Sequence, residues 1–179
     1  MIAVLVTALG YPPAAVAWAD VLVANLLPPT LAIVALGSTA GMVKDTVGEL
    51  REAGKKVGLL KLRSFRPFPD AEIAAALKNC KAVAVMDRAI SFGAMAGCGP
   101  LFLDLTSALY NLGVRELPVV NYIYGLGGRD TMPSDIESAF ADLQKIADTG
   151  TRGALTFAMG LLLRSFSAAH QRKNALRAR

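Results

Sequence analysis

The sequence predicts an α/β fold: a three-layer, doubly wound, mostly parallel sheet of four to five strands. Four short apolar runs show little alternation with polar residues, which is typical of strands buried on both faces. Segments with helical spacing of apolar residues separate these runs, and glycine or proline marks most of the junctions. Such regular alternation favours a parallel sheet with helices on both faces.

The first unit is a strand over residues 31–36, a glycine-containing turn over residues 37–41 and a helix. Ser38 or Thr39 is expected to cap this helix, because a hydroxyl can accept a hydrogen bond from a free first-turn amide. Gly54 is expected to end it, because glycine adopts the left-handed conformation that follows many helices.

The second and third units are shorter. A strand over residues 57–62 is followed by a proline-containing loop over residues 63–69 and a helix over residues 70–78. The third strand, residues 82–86, ends at Asp87. The lengths of these segments are typical of the strands and helices of a small α/β domain.

The last units complete the alternation. A glycine-rich loop leads to a helix around residues 101–111, and a fourth strand covers residues 118–123. The closing helix is predicted over residues 133–147, with Pro133 and Asp135 in its first turn, where both residue types are favoured.

Composition divides the chain into an apolar extension (1–30), the alternating domain (31–150) and a basic tail (151–179). We read the extension as loosely ordered or misassigned sequence. A signal peptide ranks second because no positive region precedes the apolar residues, and a membrane span third because prolines interrupt the run. For the tail, a membrane-surface amphipathic helix, a disordered segment and a docking helix all remain open.

The net charge of +5 does not indicate a nucleic-acid partner. Acidic and basic residues balance within residues 31–150, so the excess positive charge belongs to the tail. The chain is 54% hydrophobic and only 18% charged, which suggests that a protein partner covers part of its surface. We therefore expect other protein domains or subunits as partners, no nucleic acid and no membrane.

The cysteines and the histidine exclude several kinds of site. Cys80 and Cys98 are too far apart for a CxxC motif, and two cysteines match no iron–sulfur or zinc pattern. The one histidine, His170, lies in the tail. We expect no metal site, and we identify no catalytic residue.

The most informative segment is the loop after the fourth strand, residues 125–130. It contains Gly125, Gly127 and Gly128, followed by Arg129 and Asp130. Glycines permit positive φ and close backbone approach, and open α/β sheets place binding groups after their strands. The loop is predicted to be either a binding site or an interface.

Weaker candidates follow the other strands. The turn from Gly37 to Gly41 could hold an anion on backbone amides, although a plain strand-to-helix turn is the favoured interpretation. The loop arginines could grip a phosphate or carboxylate, but interdomain salt bridges are favoured. Asp87 could act as a base, but an ion pair with Arg88 or a neighbour is favoured. The interface or anion-binding candidates are Gly37, Ser38, Thr39, Gly41, Arg63, Arg66, Asp87, Arg88, Gly125, Gly127, Gly128, Arg129 and Asp130.

Three loop phenylalanines, Phe65, Phe68 and Phe92, are predicted to mark a protein–protein contact. Exposed aromatic rings in loops would be costly unless another surface covers them.

The ordered motifs of this chain resemble those of a known family. They occupy residues 35–41, 57–69, 83–93, 99–102 and 124–130. This order is similar to the transketolase C-terminal-like domain in the alpha subunit of pyruvate:ferredoxin oxidoreductase, also called pyruvate synthase. The resemblance covers roughly residues 31–150. Branched-chain 2-oxoacid relatives share much of the pattern, so it extends to related 2-oxoacid:ferredoxin oxidoreductases.

The resemblance implies a part in the oxidative decarboxylation of pyruvate to acetyl-CoA in the cytoplasm. The complete enzymes use thiamine diphosphate, iron–sulfur clusters and coenzyme A, and pass electrons to ferredoxin. In the family the thiamine site is built from other domains and the clusters from cysteine-rich segments, so we expect no cofactor bound by this chain and a structural and docking role. The extension and tail do not match the family, so we expect a fragment that is inactive alone. The alternatives are a stand-alone anion- or nucleotide-binding module and a membrane-associated protein.

Overall fold

The computed structural model describes residues 30–94 and 97–150, together with the backbone of residues 156–158. The expectations for the apolar extension and the basic tail otherwise fall outside the described residues.

The described residues form a sheet of five parallel strands, as predicted. The strands are β1 (Leu31–Leu36), β2 (Val57–Leu62), β3 (Ala82–Asp87), β4 (Val119–Ile123) and β5 (Thr156–Ala158). Their order across the sheet is β2-β1-β3-β4-β5, and each neighbouring pair is parallel. The fifth strand lies beyond residue 150, in the segment that composition assigned to the tail, and pairs with β4.

Four α-helices form the two outer layers. They are α1 (Thr39–Glu52), α2 (Asp70–Leu77), α3 (Pro100–Asn111) and α4 (Pro133–Thr149). Helices α1 and α4 pack on one face of the sheet, and α2 and α3 pack on the other. This arrangement confirms the predicted three-layer, doubly wound architecture.

The strand side chains alternate between the two helical layers. Ile33 and Ala84 face α1 and α4, whereas Val34 and Val85 face α2 and α3, and all four are fully buried. Burial of one large aliphatic side chain contributes roughly 1.5–3 kcal/mol. The strands are buried on both faces and therefore provide a rigid support for the loops at their carboxyl ends.

The two ends of α1 differ in how well the sequence predicts them. Gly54 has φ +81°, and the amides of Gly54 and Lys55 bond to the carbonyls of Arg51 and Leu50 at 2.8 and 2.9 Å. This is the predicted glycine stop, in the form of a Schellman motif. At the other end Ser38 has helical φ and ψ, and its side chain makes no capping bond. The predicted cap is therefore absent, and the first-turn amides lack a hydroxyl partner.

Candidate functional site

The main candidate site is a cavity of about 420 Å³ at the carboxyl edge of the sheet. It lies between the start of α1 and the loop that leads into α4. In the strand order β2-β1-β3-β4-β5, the connections from β1 and β3 run in opposite directions, which opens a crevice between these two strands. The described lining residues are Ser38, Thr39, Met42, Arg88, Tyr124, Gly125, Arg129, Asp130, Thr131 and Met132.

The loop after β4 gives this cavity one wall. Gly125, Gly127 and Gly128 have φ of +65°, +69° and +77°, the left-handed conformation that the sequence led us to expect there. At Gly125 the requirement is also spatial. A Cβ at that position would lie 2.9 Å from Nε of Arg88, because the arginine side chain lies across the glycine.

The four predicted arginines separate into two groups. Arg88 and Arg129 line the cavity. Within residues 30–94 and 97–150, neither guanidinium has a hydrogen-bond or ion-pair partner. Arg66 instead pairs with Asp104 at 2.7 Å and lies 4.1 Å above the ring of Phe65. Arg66 thus has a partner in its own domain, where an interdomain salt bridge was the favoured interpretation. Arg63 follows the edge strand β2 and is not among the lining residues.

The two glycines between β1 and the second turn of α1 do not line the cavity. Gly37 has φ +65° and ends β1, and Gly41 lies inside α1 with its amide bonded to the carbonyl of Ser38. Neither glycine is among the lining residues, so Ser38 and Thr39 are what this turn presents to the cavity.

Asp87 has a structural role in place of the expected ion pair with Arg88. Its side chain is buried, and its carboxylate accepts hydrogen bonds from the backbone amides of Leu101 and Phe102, both at 3.0 Å. These amides belong to the first turn of α3, so the carboxylate caps that helix from the end of β3. Burial raises the pKa of Asp87, and the two amide bonds oppose that rise.

The loop phenylalanines do not all mark a contact surface. Phe65 and Phe68 pack edge to face, with ring centroids 6.1 Å apart, against the core under α2 and α3. Phe92 is fully exposed, as the contact hypothesis requires. Phe65 and Phe68 pack within the domain because the proline-containing loop folds back onto the core, and a contact at Phe92 stays a prediction.

One buried polar residue escaped the sequence reasoning. Asn121 on β4 is fully buried, and neither its amide nitrogen nor its oxygen has a hydrogen-bond partner within the described part of the chain. A single polar residue inside an apolar strand was the available signal. Asn121 does not line the cavity, and the lining residues that we did not predict are Met42, Tyr124, Thr131 and Met132.

The two cysteines lie in the core and do not line the candidate site. Cys80 and Cys98 are both free and buried, and burial raises the pKa of Cys80 to about 11. Two cysteines are too few for the four ligands of an ordinary iron–sulfur cluster. In the described ranges no group of three histidine, cysteine or acidic residues could hold a metal ion, such as one that bridges a diphosphate. None of the helices described there is long and apolar enough to cross a membrane.

A second cavity, of about 740 Å³, lies at the opposite edge of the sheet. Its basic side chains are Lys78, Lys81 and Arg115, and Glu116 is close to them. The surrounding residues follow the carboxyl ends of α2, α3 and α4. Partial negative charge collects at helix carboxyl ends, so this cavity is less suited to an anion than its basic residues suggest.

The fold defines a doubly wound α/β domain with a crevice between β1 and β3 at the carboxyl edge of the sheet. Residues 30–136 match the family of pyruvate:ferredoxin oxidoreductase core domain II. The match covers more than half of the chain, and the chain belongs to this family.

Curated relatives agree with this assignment. The pyruvate synthase subunit PorA of Thermotoga maritima is 50% identical over 110 residues, which cover 62% of this chain and 27% of that protein. PorA of Methanosarcina barkeri is 44% identical over 120 residues, covering 67% and 29%. The ketoisovalerate oxidoreductase subunit VorA of Pyrococcus abyssi is 44% identical over 115 residues, covering 64% and 28%. The chain thus spans less than a third of the length of these relatives.

Among solved structures, a 2-oxoglutarate:ferredoxin oxidoreductase from Magnetococcus marinus is similar, with a TM-score of 0.44 and 20% identity. The similarity covers 64% of this chain and 18% of that one.

Proposed function

We propose that this chain is a structural and docking domain of a 2-oxoacid:ferredoxin oxidoreductase, with pyruvate as the 2-oxoacid. The observation that carries the proposal is the family match, together with subunits of such enzymes among the relatives. Residues 31–150 together with strand β5 form the domain, and its partners are the other domains and subunits of a cytoplasmic complex. Ferredoxin contacts the complex, and thiamine diphosphate, iron–sulfur clusters and coenzyme A bind elsewhere in it.

Helix α3 offers a surface suited to docking. Leu103 and Tyr110 are two turns apart and point away from the core, with exposures of 37% and 61%. Exposed Leu112 follows the helix, and exposed Ile90 and Phe92 precede it. Exposed apolar and aromatic residues are enriched where protein surfaces meet. We therefore assign the docking contact to this α3 surface, composed of Leu103 and Tyr110.

A domain exchange tests the proposal. Residues 30–136 would replace the matching segment of Thermotoga maritima PorA, and the chimera would be co-expressed with the other subunits of that enzyme. We expect the chimera to co-purify with them and to retain pyruvate-dependent dye reduction. A chimera that folds but does not assemble would contradict the docking role.

Two matched variants of the chimera test the surface. Leu103→Ser should weaken assembly, because a leucine on the α3 surface loses its apolar contact. Leu126→Ser is the control, because Leu126 is 38% exposed, almost the same as Leu103, but lies in the loop after β4. If Leu126→Ser weakens assembly and Leu103→Ser does not, docking uses the loop and not α3.

The same proposal predicts that the purified chain alone does not oxidise pyruvate. Its two cysteines cannot supply a four-cysteine cluster, so electrons have no route to an acceptor. The measurement is reduction of a viologen dye with pyruvate and coenzyme A, with intact Thermotoga maritima pyruvate synthase as the positive control. Dye reduction by this chain alone would contradict the proposal.

A further inference from the structure

We propose that the cavity between the start of α1 and the start of α4 binds the phosphate group of a small organic phosphate. The inference goes beyond docking, because the cavity residues are separate from the apolar residues of the α3 surface. Its location is the first support. The crevice between β1 and β3 is where a sheet of this strand order binds ligands, because the loops on either side of it diverge.

The charge of the lining is the second support. Arg88 and Arg129 line one cavity, and within the described ranges neither side chain has an ion-pair partner that would neutralise it. Asp130 is the one acidic side chain among the described lining residues. A guanidinium binds phosphate through two parallel hydrogen bonds, so two of them suit a dianionic phosphate better than a single carboxylate.

The third support is the way the backbone makes room for Arg88. The arginine side chain lies across Gly125, which has positive φ and no Cβ to obstruct it. The glycine at this position therefore leaves room for the Arg88 side chain beside the loop.

The start of α1 adds neutral donors to the two charges. Ser38 and Thr39 line the cavity, and the Ser38 side chain makes no capping bond. The first amides of a helix lack partners within the helix and carry partial positive charge. They supplement the arginines and would not define a site without them.

The size and walls of the cavity indicate more than inorganic phosphate. A volume of about 420 Å³ falls within the range of small-molecule sites. Tyr124, Met42 and Met132 supply apolar wall beside the basic groups. A phosphate attached to a small organic group fits this combination of charged and apolar lining.

The test measures binding of inorganic phosphate to the full chain at constant ionic strength. Amide resonances in an NMR titration locate the bound anion, and the same titration gives its affinity. We expect shifts at residues 38–40 and 124–132. Arg88→Gln and Arg129→Gln should each weaken binding about tenfold or more, because each removes a charged hydrogen-bond donor.

The control is Arg115→Gln, which changes the net charge equally but lies in the cavity at the opposite edge. It should leave phosphate affinity unchanged. A matched titration with acetate separates a phosphate site from one that takes a partner's carboxylate, and we expect acetate to bind at least about tenfold more weakly. Circular dichroism of each variant confirms that it is folded.

Three outcomes would overturn the proposal. If phosphate changes the amide resonances of residues outside the cavity, the anion binds elsewhere. If Arg115→Gln loses as much affinity as the cavity variants, the binding reflects only general charge attraction. Acetate binding as tight as phosphate binding would make the two arginines a carboxylate site, one that a partner domain can fill.

Discussion

Two connections meet at the carboxyl edge of the sheet, and they are held in different ways. The connection from β3 to α3 is fixed by Asp87, whose buried carboxylate bonds to two amides of the helix. The connection from β4 to α4 depends on glycines with positive φ, and Leu126 to Asp130 are exposed. The Asp87 carboxylate is used within the fold, whereas Arg129 at the second connection has no partner among the described residues. Adjacent residues show the same contrast, because Asp87 is buried and Arg88 is exposed.

The largest expected effect comes from removing the carboxylate of the first connection. Asp87→Ala should lower the free energy of unfolding by about 2–4 kcal/mol, because two buried amides lose their acceptor. Urea unfolding would measure it. The control is Asp104→Ala, which removes the partly exposed partner of Arg66 and should cost less than about 1 kcal/mol. Equal costs for the two variants would remove the contrast between the connections.

The second connection should respond to backbone strain. Gly127→Val should cost roughly 1–3 kcal/mol, because a β-branched residue is strained at positive φ although no atom lies within 4 Å of the new Cβ. Gly48→Val is the matched control. Gly48 also has open space around its Cβ position but lies in α1 without positive φ, so we expect a change below about 0.5 kcal/mol. Thermal unfolding of both variants would show whether conformation or volume determines the cost.

The stability contribution of Asp87 at the first connection should depend on pH, and the direction of that dependence tests its raised pKa. Because the folded-state pKa of Asp87 is raised, the folded protein binds its proton more readily than the unfolded chain. The contribution of this group is therefore largest below the ordinary aspartate pKa and is lost as pH rises through the folded pKa. We would measure the free energy of unfolding of the wild type and of Asp87→Asn from neutral to acidic pH. On acidification the stability of the wild type relative to Asp87→Asn should increase. If the relative stability of the wild type decreases instead, the two amide hydrogen bonds lower the pKa of Asp87 by more than burial raises it.

The smallest expected effect is that of Arg129→Ala on the stability of the domain. An exposed arginine without a partner in the described domain contributes little, so the loss should be below about 1 kcal/mol. Thermal unfolding gives the value. A loss as large as that of Asp87→Ala would show that Arg129 supports the fold, and the second connection would then be structural as well.

The sequence by itself determined much of the fold. The apolar runs place β1 to β4, and Gly54 and Pro133 mark a helix end and a helix start where the structure has them. These signals are local, because a buried parallel strand must be apolar on both faces and a left-handed turn favours glycine. The same reasoning led us to expect positive φ in the glycine loop after β4, and Gly125, Gly127 and Gly128 have it.

Only the tertiary structure decided how the charged residues are used. Asp87 reaches amides 14 and 15 residues further along the chain, and Arg66 reaches Asp104. Arg88 and Arg129 meet at one cavity because the order β2-β1-β3-β4-β5 places β3 beside β4 and both near the start of α1. Partners so far apart in sequence are set by strand order and packing, which local propensities do not encode.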